Sequence, residues 1–396
     1  MTAILQKGNR KTMEAYFDNS ATTKVSERVI SLMGKTMRED YGNPSAKHMM
    51  GVRAEQYVKD AAEKIARTMK VSAKDILFTS GGTESDNLAL IGCALANKRN
   101  GKHIISTGVE HPAVYEPLSF LESFGLETTI LGVDRNGHID LDELKNAIRP
   151  DTVLVSVMHV NNEVGAVEPV EEIAKIVHGE NPSAYFHVDA IQSYGKLRIY
   201  PERMGIDLLS VSGHKLHGPK GVGFLYISPR VKIKPILYGG GQQNGMRSGT
   251  VNVPGIAGLG EAAAAAYENF DEKIARMISL KDRITDGVLT VENVTVNSRK
   301  GSESAPQIVS ISVKGVKSEV LLHALEEKHI YVSSGSACSS HHPGISGTLK
   351  GIGLEDDLLD STIRVSLSDL STGEEADYFL GAFRELVPVL RKFTRH

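Results

Sequence analysis

A lysine and an aspartate stand at the ends of two predicted strands. Lys215 follows the apolar run DLLSVS in the string SGHK, and Asp189 follows AYFHV, with Gln192 close behind it. A lysine pressed by apolar strands has a lowered pKa and can form a Schiff base with a carbonyl. A carboxylate held at a strand end can pair with a cationic ring nitrogen. Taken singly, a solvated loop lysine and a helix N-cap are the more ordinary explanations.

Three further strand ends carry polar residues of other kinds. Gly82 and Thr83 follow DILFTS at the start of a predicted helix, where backbone N–H groups and a hydroxyl suit a phosphate. His111 follows HIISTG, and Asn162 lies in the polar turn after TVLVSVMHV. An N-cap, a core histidine and turn chemistry each explain one of these residues when it is considered alone.

The order of elements brings these strand ends to one edge of a sheet. Short apolar β-rich runs alternate with helical stretches, which predicts an α/β, doubly wound fold with a mostly parallel sheet. Ligands bind such sheets at the carboxyl ends of the strands. A phosphate cradle, a stacking ring, a carboxylate and a lysine are what pyridoxal phosphate (PLP) needs. Spacing alone therefore favours a PLP enzyme without establishing one.

The character of the chain changes beyond Gly255. A long helical stretch, roughly 256–290, leads to a tail whose runs VENVTVN and QIVSISVKG are typical of strands. We predict a large domain over 16–260 and a smaller α+β domain over 261–396, to which residues 1–15 also belong.

Composition excludes several classes of function. The chain has 396 residues and a net charge of -3, so it presents no basic field for nucleic acid. No apolar run approaches the ~18 residues that a membrane span needs. Two cysteines cannot form a disulfide framework, which favours a reducing cytoplasm. Cys93 lies in an apolar helical run and is predicted to be buried, whereas Cys338 lies in the polar loop SSGSACSSHHPG.

Ten strings in the chain occur in a recognisable order from residue 18 to residue 368. They are DNSATT, GNPSAKH, TSGGTESDN, VEHPAV, MHVNNEVG, HVDAIQ, SVSGHKLHGPKG, MRSGT, SSGSAC and IRVSLS. This order resembles the cysteine desulfurases, of the class V aminotransferase group within the fold-type I PLP enzymes. SGHK followed by GPKG, with GSAC far downstream, is the most specific part of the resemblance.

The resemblance implies a cofactor role for each strand-end residue. Lys215 would hold PLP, Asp189 would face the pyridine nitrogen, and His111 would stack on the ring and relay protons. Gln192 or Asn162 would face the ring hydroxyl. The residues implied to bind the phosphate are Gly82, Thr83, Ser212, His214 and, from the neighbouring subunit, Thr250. That last role implies a homodimer with shared sites.

The resemblance also implies a substrate and a sulfur carrier. Arg364, with Asn162 beside it, would grip the carboxylate of L-cysteine. The thiolate of Cys338 would take the substrate sulfur as a persulfide, with release of alanine, in a loop whose glycines and serines permit movement. The interval from Cys338 to Arg364 resembles the long-loop branch of the family. The acceptor would then be an iron–sulfur scaffold, a tRNA thiolation protein or a cofactor biosynthesis enzyme.

Other functions remain open at this point. Selenocysteine lyase shares the fold and most strings. A catalytically idle relative is disfavoured because all of the residues implied in chemistry are present. The chain departs from the family at Ser368-Asp369, where Gly-Arg is usual, and at His341-His342-Pro343. Cys338 with its two neighbouring histidines offers too few and too local ligands for zinc, so no metal site is predicted.

Overall fold

The computed structural model describes residues 13–334 and 346–393. Its strands are β1 (Ala15–Tyr16), β2 (Ile76–Thr79), β3 (His103–Thr107), β4 (Glu127–Leu131), β5 (Thr152–Met158), β6 (Tyr185–Asp189), β7 (Leu208–Ser212), β8 (Gly223–Ile227), β9 (Val294–Val296), β10 (Ile308–Val313), β11 (Ile330–Tyr331), β12 (Ser333–Ser334) and β13 (Thr362–Ser366). Its α-helices are α1 (Glu27–Arg38), α2 (Met49–Met69), α3 (Gly82–Asn87), α4 (Cys93–Asn97), α5 (Pro112–Glu122), α6 (Leu141–Ala147), α7 (Val170–Glu180), α8 (Pro201–Met204), α9 (Val253–Tyr267), α10 (Phe270–Val288), α11 (Ser318–Glu326), α12 (Gly347–Gly351), α13 (Asp356–Leu359) and α14 (Gly373–Arg391).

The larger sheet has seven strands in the order β2-β8-β7-β6-β5-β3-β4. The pairs from β7 to β4 are parallel, and β8 runs antiparallel to both of its neighbours. The predicted α/β fold with a mostly parallel seven-stranded sheet is confirmed by this topology and by the structural relatives described below.

Two apolar layers cover this sheet because successive strand residues point to opposite faces. Ile76 and Phe78 of β2 pack into the core beneath α2, α7 and α9, whereas Leu77 packs on the other face with α4 and α5. A π-helical turn, Leu88–Gly92, joins α3 to α4 in one helical run. Cys93 at the end of that turn is fully buried, as expected for a small apolar side chain.

The smaller sheet is antiparallel, in the order β12-β13-β10-β9. Its core is formed with α10, α11 and α14. The N-terminal segment joins this core, since β1 pairs with β11 and Phe17 packs edge-on against Phe379 at 6.0 Å between ring centroids. The division at 260/261 stays a prediction.

The single helical stretch predicted over roughly 256–290 is wrong, because α9 and α10 are separate helices. Asn269 between them has a φ of 49°, a left-handed conformation that a continuing helix does not allow. The side chains of α9, such as Leu259, lie in the core of the large sheet, whereas Ile284 of α10 lies in the core of the small one.

Candidate active site

A cavity of about 150 Å³ lies at the carboxyl ends of the central strands of the large sheet. Parallel strands bring the residues that follow them to one edge, which explains why distant parts of the chain meet here. The predicted residues that line it are Gly82, Thr83, His111, Asn162, Asp189, Gln192, Ser212, His214 and Lys215. Their individual roles stay predictions.

Lys215 lies in the loop that turns the chain from β7 back into the antiparallel β8. Its Nζ donates to the carbonyl oxygen of Ala21 at 2.8 Å and to that of Ser20. The loop itself is fixed from the same side, since the backbone N–H of Thr23 donates to the His214 carbonyl at 2.8 Å. Residues 20–23 therefore contact both the side chain of Lys215 and the loop that carries it.

Asp189 ends β6 and is buried. One carboxylate oxygen accepts from the Ile191 backbone N–H at 2.9 Å. Burial raises the pKa of Asp189 to about 6, with the Ile191 bond and Lys215 acting in the opposite direction. Burial, followed by the charge of Asp189, raises the pKa of the deeper carboxyl of Asp86 well above its ordinary value. At neutral pH the proton therefore stays on Asp86, and Asp189 carries the negative charge at the cavity wall.

His111 is the N-cap of α5. Its Nδ1 accepts from the Ala113 backbone N–H at 3.1 Å, which leaves Nε2 to carry the hydrogen of the neutral ring. Burial, followed by the nearby charge of Lys215, lowers the pKa of His111 to about 4. The ring is therefore neutral at physiological pH and can stack or exchange a proton without carrying a standing charge.

One end of the cavity is lined by small residues and hydroxyl groups. A Cβ on Gly82 would lie 2.2 Å from Cδ1 of Ile191, so only glycine fits beside Ile191 as it stands. The hydroxyls of Thr83 and Ser212 reach the same cavity. Burial and the neighbouring lysines lower the pKa of His214 to about 4, so this ring is neutral as well.

The two asparagines after β5 point in different directions. Asn162 lines the cavity, whereas Asn161 turns away, donating to the Val109 carbonyl at 3.1 Å and accepting from the N–H groups of Glu163 and Val164 at 2.9 Å. The side chain of Asn161 is thus used in holding its own turn.

Arg364 belongs to the small sheet but reaches the same region from β13. Its exposed fraction is 3%, and its guanidinium donates to the Asn162 carbonyl at 2.8 Å and to the Asp18 carboxylate at 2.9 Å. Its Nε is buried and has no hydrogen-bond partner among the described residues. The arginine does not line the cavity itself, but it is held against Asn162, which does.

Three predicted residues are not among those lining the cavity: Thr250, Cys338 and Arg364, the last of which contacts it only through Asn162. Thr250 is exposed and lies elsewhere on this subunit. Cys338 lies outside the described residues, as do His341 and His342. The residues that flank this segment are described: Ser333 pairs with Arg364 in the sheet, and the Ser346 hydroxyl donates to Glu163 at 2.5 Å. The chain therefore leaves and re-enters the described region close to the site.

Sequence reasoning assigned no role to two residues that the structure places at the site. The carbonyl of Ser20 accepts from Lys215 and, at 3.0 Å, from the side chain of Gln192. Asp18 forms the ion pair with Arg364. Both lie in the string DNSATT, which indicated that this segment matters to the family. Its contact with Lys215 could not be predicted, because it depends on tertiary structure.

The residues present fit PLP. The side-chain carbonyl oxygen of Gln192 is buried at the cavity and has no hydrogen-bond partner within 13–334 and 346–393, which suits a ring hydroxyl. The ionised Asp189 suits a pyridinium nitrogen, and the hydroxyls of Thr83 and Ser212 suit a phosphate. Lys215 supplies the amine that a carbonyl cofactor requires.

Comparisons with known proteins agree with this arrangement. The family model Aminotransferase class-V matches residues 15–379. A protein of Dictyoglomus turgidum named "Cysteine desulfurase IscS" is 41% identical over 96% of each chain, and the "Cysteine desulfurase, mitochondrial" of Saccharomyces cerevisiae is 43% identical over 97% of this chain and 77% of that protein. A solved NifS-like protein is 38% identical, with a TM-score of 0.90, over 96% of this chain and all of that one.

The fold and the family model thus place the chain in the class-V aminotransferase family. Within that class the chain belongs to the cysteine desulfurase family, as its strings predicted. The relatives do not favour selenocysteine lyase.

The described part of the chain contains neither a membrane-spanning helix nor a cluster of metal ligands. None of its helices is long and apolar enough to cross a membrane. No group of three or more acidic, histidine or cysteine side chains within 13–334 and 346–393 could hold a metal ion.

Proposed function

We propose that this protein is a PLP-dependent cysteine desulfurase that converts L-cysteine to L-alanine and passes the sulfur to its own Cys338. The observation that carries the proposal is the meeting of Lys215, the ionised Asp189 and the neutral His111 at one cavity, in a chain whose close relatives bear that enzyme's name. When bound, PLP would supply a reactive carbonyl and a sink for the electrons released at the substrate Cα.

The chain's own residues would hold the cofactor by charge and shape. Asp189 would keep a proton on the ring nitrogen, because its negative charge favours the cationic ring. Gln192 would accept from the ring hydroxyl. His111 would cover one face of the ring, and the residues that would hold the phosphate are Gly82, Thr83, Ser212, His214 and Thr250 of a second copy of this chain.

Lys215 would also move protons. The Ser20 and Ala21 carbonyls orient its Nζ. Once substrate occupies the cavity, the neutral amine of Lys215 would remove the Cα proton of L-cysteine and later donate it to an atom other than Cα. His111 would relay a second proton through Nε2, which is open to do so because Nδ1 is engaged with Ala113.

Arg364 would bind the substrate carboxylate. Its buried Nε lacks a partner, and a carboxylate can accept two parallel bonds from a guanidinium.

Atoms and electrons are all accounted for when the sulfur passes to Cys338. The Cys338 thiolate attacks the substrate sulfur, an S–S bond forms and the Cβ–S bond breaks. The electron pair of the broken bond goes to Cβ, which then takes up a proton to give alanine. The enzyme keeps a persulfide, and no external oxidant or reductant is needed.

The test is mass spectrometry of the PLP-loaded protein after incubation with L-cysteine, with alanine measured in parallel. We expect a gain of about 32 Da on the peptide that contains Cys338, together with alanine. Cys338→Ala should bind PLP normally and form no such adduct, while the matched control Cys93→Ala should keep both products. Catalytic persulfide transfer by Cys338→Ala would contradict the proposal.

We extend the proposal to partners and place of action. The persulfide would pass to a sulfur-acceptor protein, either an iron–sulfur scaffold or a tRNA thiolation protein, from a homodimer in the cytoplasm. The exposure of Thr250 supports the shared site, and a chain with only two cysteines fits a reducing compartment. Cross-linking of the persulfide form to candidate acceptors would identify the recipient.

A further inference from the structure

A second cavity lies behind Lys215, on the far side of the lysine from the candidate active site. Its volume is about 40 Å³, and Lys215 lines both cavities. The charged residues around the second cavity are Lys196, Lys215, His217, Lys273 and Asp369. Of the described residues that line it, only Asp369 carries a carboxylate.

Lys196 is a buried cation in direct contact with the lysine loop. Its Nζ donates to the backbone carbonyl of Lys215 at 2.8 Å, and its exposed fraction is only 8%. Burial, followed by the charge of Lys215, lowers the pKa of Lys196 to about 8, while Asp369 acts in the opposite direction. Lys215 therefore has a positive neighbour in Lys196 on this side, whereas the ionised Asp189 faces it from the active-site side.

His217, two residues after Lys215, links the lysine loop to Asp369. Its Nδ1 lies 2.7 Å from the Lys24 carbonyl oxygen, and its Nε2 lies 2.9 Å from a carboxylate oxygen of Asp369. Both of these oxygens can only accept, so both ring nitrogens carry hydrogen when the two bonds are formed. The backbone of His217 is left-handed, with a φ of 61°, so these contacts hold it in a conformation uncommon for histidine.

Asp369 contacts basic residues from two parts of the chain, the lysine loop and α10. Besides His217, it lies 3.4 Å from Nζ of Lys273 in α10, and its backbone carbonyl accepts from Arg276. Burial would raise the pKa of Asp369, but His217 and Lys273 together lower it to about 2. Asp369 follows β13, the strand that carries Arg364, so it joins the strand of the arginine to the loop of the lysine.

We propose that Asp369 is a positioning residue for Lys215, acting as the counter-ion that anchors the 213–218 loop and offsets the positive charge of Lys196, His217 and Lys273. This inference rests on the proposed function, because it concerns the lysine that would hold PLP. This role explains why the chain has Asp369 at a position where the family usually has arginine, because Asp369 faces the basic side chains of His217 and Lys273.

The experiment is a pH titration of the visible absorption band of the PLP-loaded protein, which reports the proton held at the Lys215 nitrogen. Asp369→Asn removes one negative charge, so that proton becomes less favourable and the midpoint should fall by roughly half a pH unit or more. Lys273→Met removes a positive charge and should move the midpoint the other way. Asp369→Glu keeps the charge and should titrate as the wild type.

Asp271→Asn is the matched control, because Asp271 pairs with Arg198 on the exposed surface of the same helix as Lys273. It should leave the midpoint unchanged. Opposite shifts in Asp369→Asn and Lys273→Met support the inference, since general damage to the fold would not follow the sign of the charge. Should Asp369→Asn fail to fold, Lys273→Met decides alone.

Two results would overturn the inference. One is an Asp369→Asn protein that binds PLP and titrates as the wild type. The other is a midpoint that Lys273→Met leaves unchanged or lowers. A wild-type chain that develops no visible band with PLP is a different result, because it contradicts the proposed function and removes this inference with it.

Discussion

The guanidinium of Arg364 is buried although only part of its donor capacity is used. A buried cation is costly unless it is paired, and Asp18 supplies the pairing at 2.9 Å. The carbonyl of Asn162 fixes the plane of the group, since it accepts at 2.8 Å. The remaining Nε donor is therefore held ready, and little side-chain entropy has to be lost when a carboxylate binds.

Replacing Arg364 by lysine should raise the KM for L-cysteine by about 10- to 100-fold, with a smaller effect on kcat. Lysine keeps the charge but cannot form two parallel bonds to a carboxylate, a loss of about 1.4–2.8 kcal/mol. Steady-state alanine formation measures both constants, and PLP absorbance should stay at the wild-type level. An unchanged KM in Arg364→Lys would show that the carboxylate binds elsewhere.

At the scale of elements, the ends of β3 and β5 are tied together by Glu110. One of its carboxyl oxygens accepts from the Thr107 hydroxyl at 2.9 Å and from the Met158 backbone N–H at 2.8 Å, while the other is buried without a partner. Burial raises the pKa of Glu110 to about 8 from its ordinary 4.5. The link that aligns these strand ends is thus a carboxyl group that holds its proton at neutral pH.

This link predicts a stability that falls with pH. The folded pKa is raised, so the contribution of Glu110 is present in full below about pH 4.5 and is lost as pH rises through about 8. The slope for one such group is at most about 1.4 kcal/mol per pH unit. Glu110→Gln should keep both accepted bonds and unfold at higher denaturant concentration than the wild type at alkaline pH.

Urea unfolding at several pH values measures this effect. Glu127→Gln is the control, since Glu127 is an exposed residue whose pKa is lowered to about 2 by Lys102 and Arg149, and its removal adds no slope between neutral and alkaline pH. Equal pH dependence in wild type and Glu110→Gln would show that Glu110 is ionised in the folded protein.

At the scale of the whole molecule, the site is assembled from both sheets. Lys215 comes from the large sheet and Arg364 from the small one, and the N-terminal segment bridges them. The side chain of Asn19 donates to the Ser366 carbonyl at 2.9 Å, one residue away from the contact of Asp18 with Arg364. Movement of the small sheet would therefore change the arginine–lysine geometry directly.

A mixing experiment tests whether two copies share their sites. Thr250→Ala and Lys215→Ala should each form little alanine at limiting PLP. A mixed dimer contains one site with an intact lysine and the intact threonine of its partner, so activity should return toward half of the wild-type value for that species. Mixing that restores nothing, although size-exclusion chromatography shows exchanged subunits, would place Thr250 outside the partner's site.

Strand-end residues of the large sheet could be predicted because a strand and the turn after it are local in sequence. Gly82, His111, Asp189 and Lys215 were singled out in this way, and all four line one cavity. The two helices α9 and α10 were predicted as one because a single left-handed residue, Asn269, carries no signal in the apolar periodicity.

The sequence by itself determined the class of this protein. Its apolar runs alternate with helices over most of the chain, and its ten strings identify the cysteine desulfurase family. Only the tertiary structure decided which distant residues meet: Ser20 under Lys215, Asp18 on Arg364, and Asp369 against His217. The physical reason is that local propensity and periodicity act over a few residues, whereas these contacts depend on how two sheets and an N-terminal segment pack together.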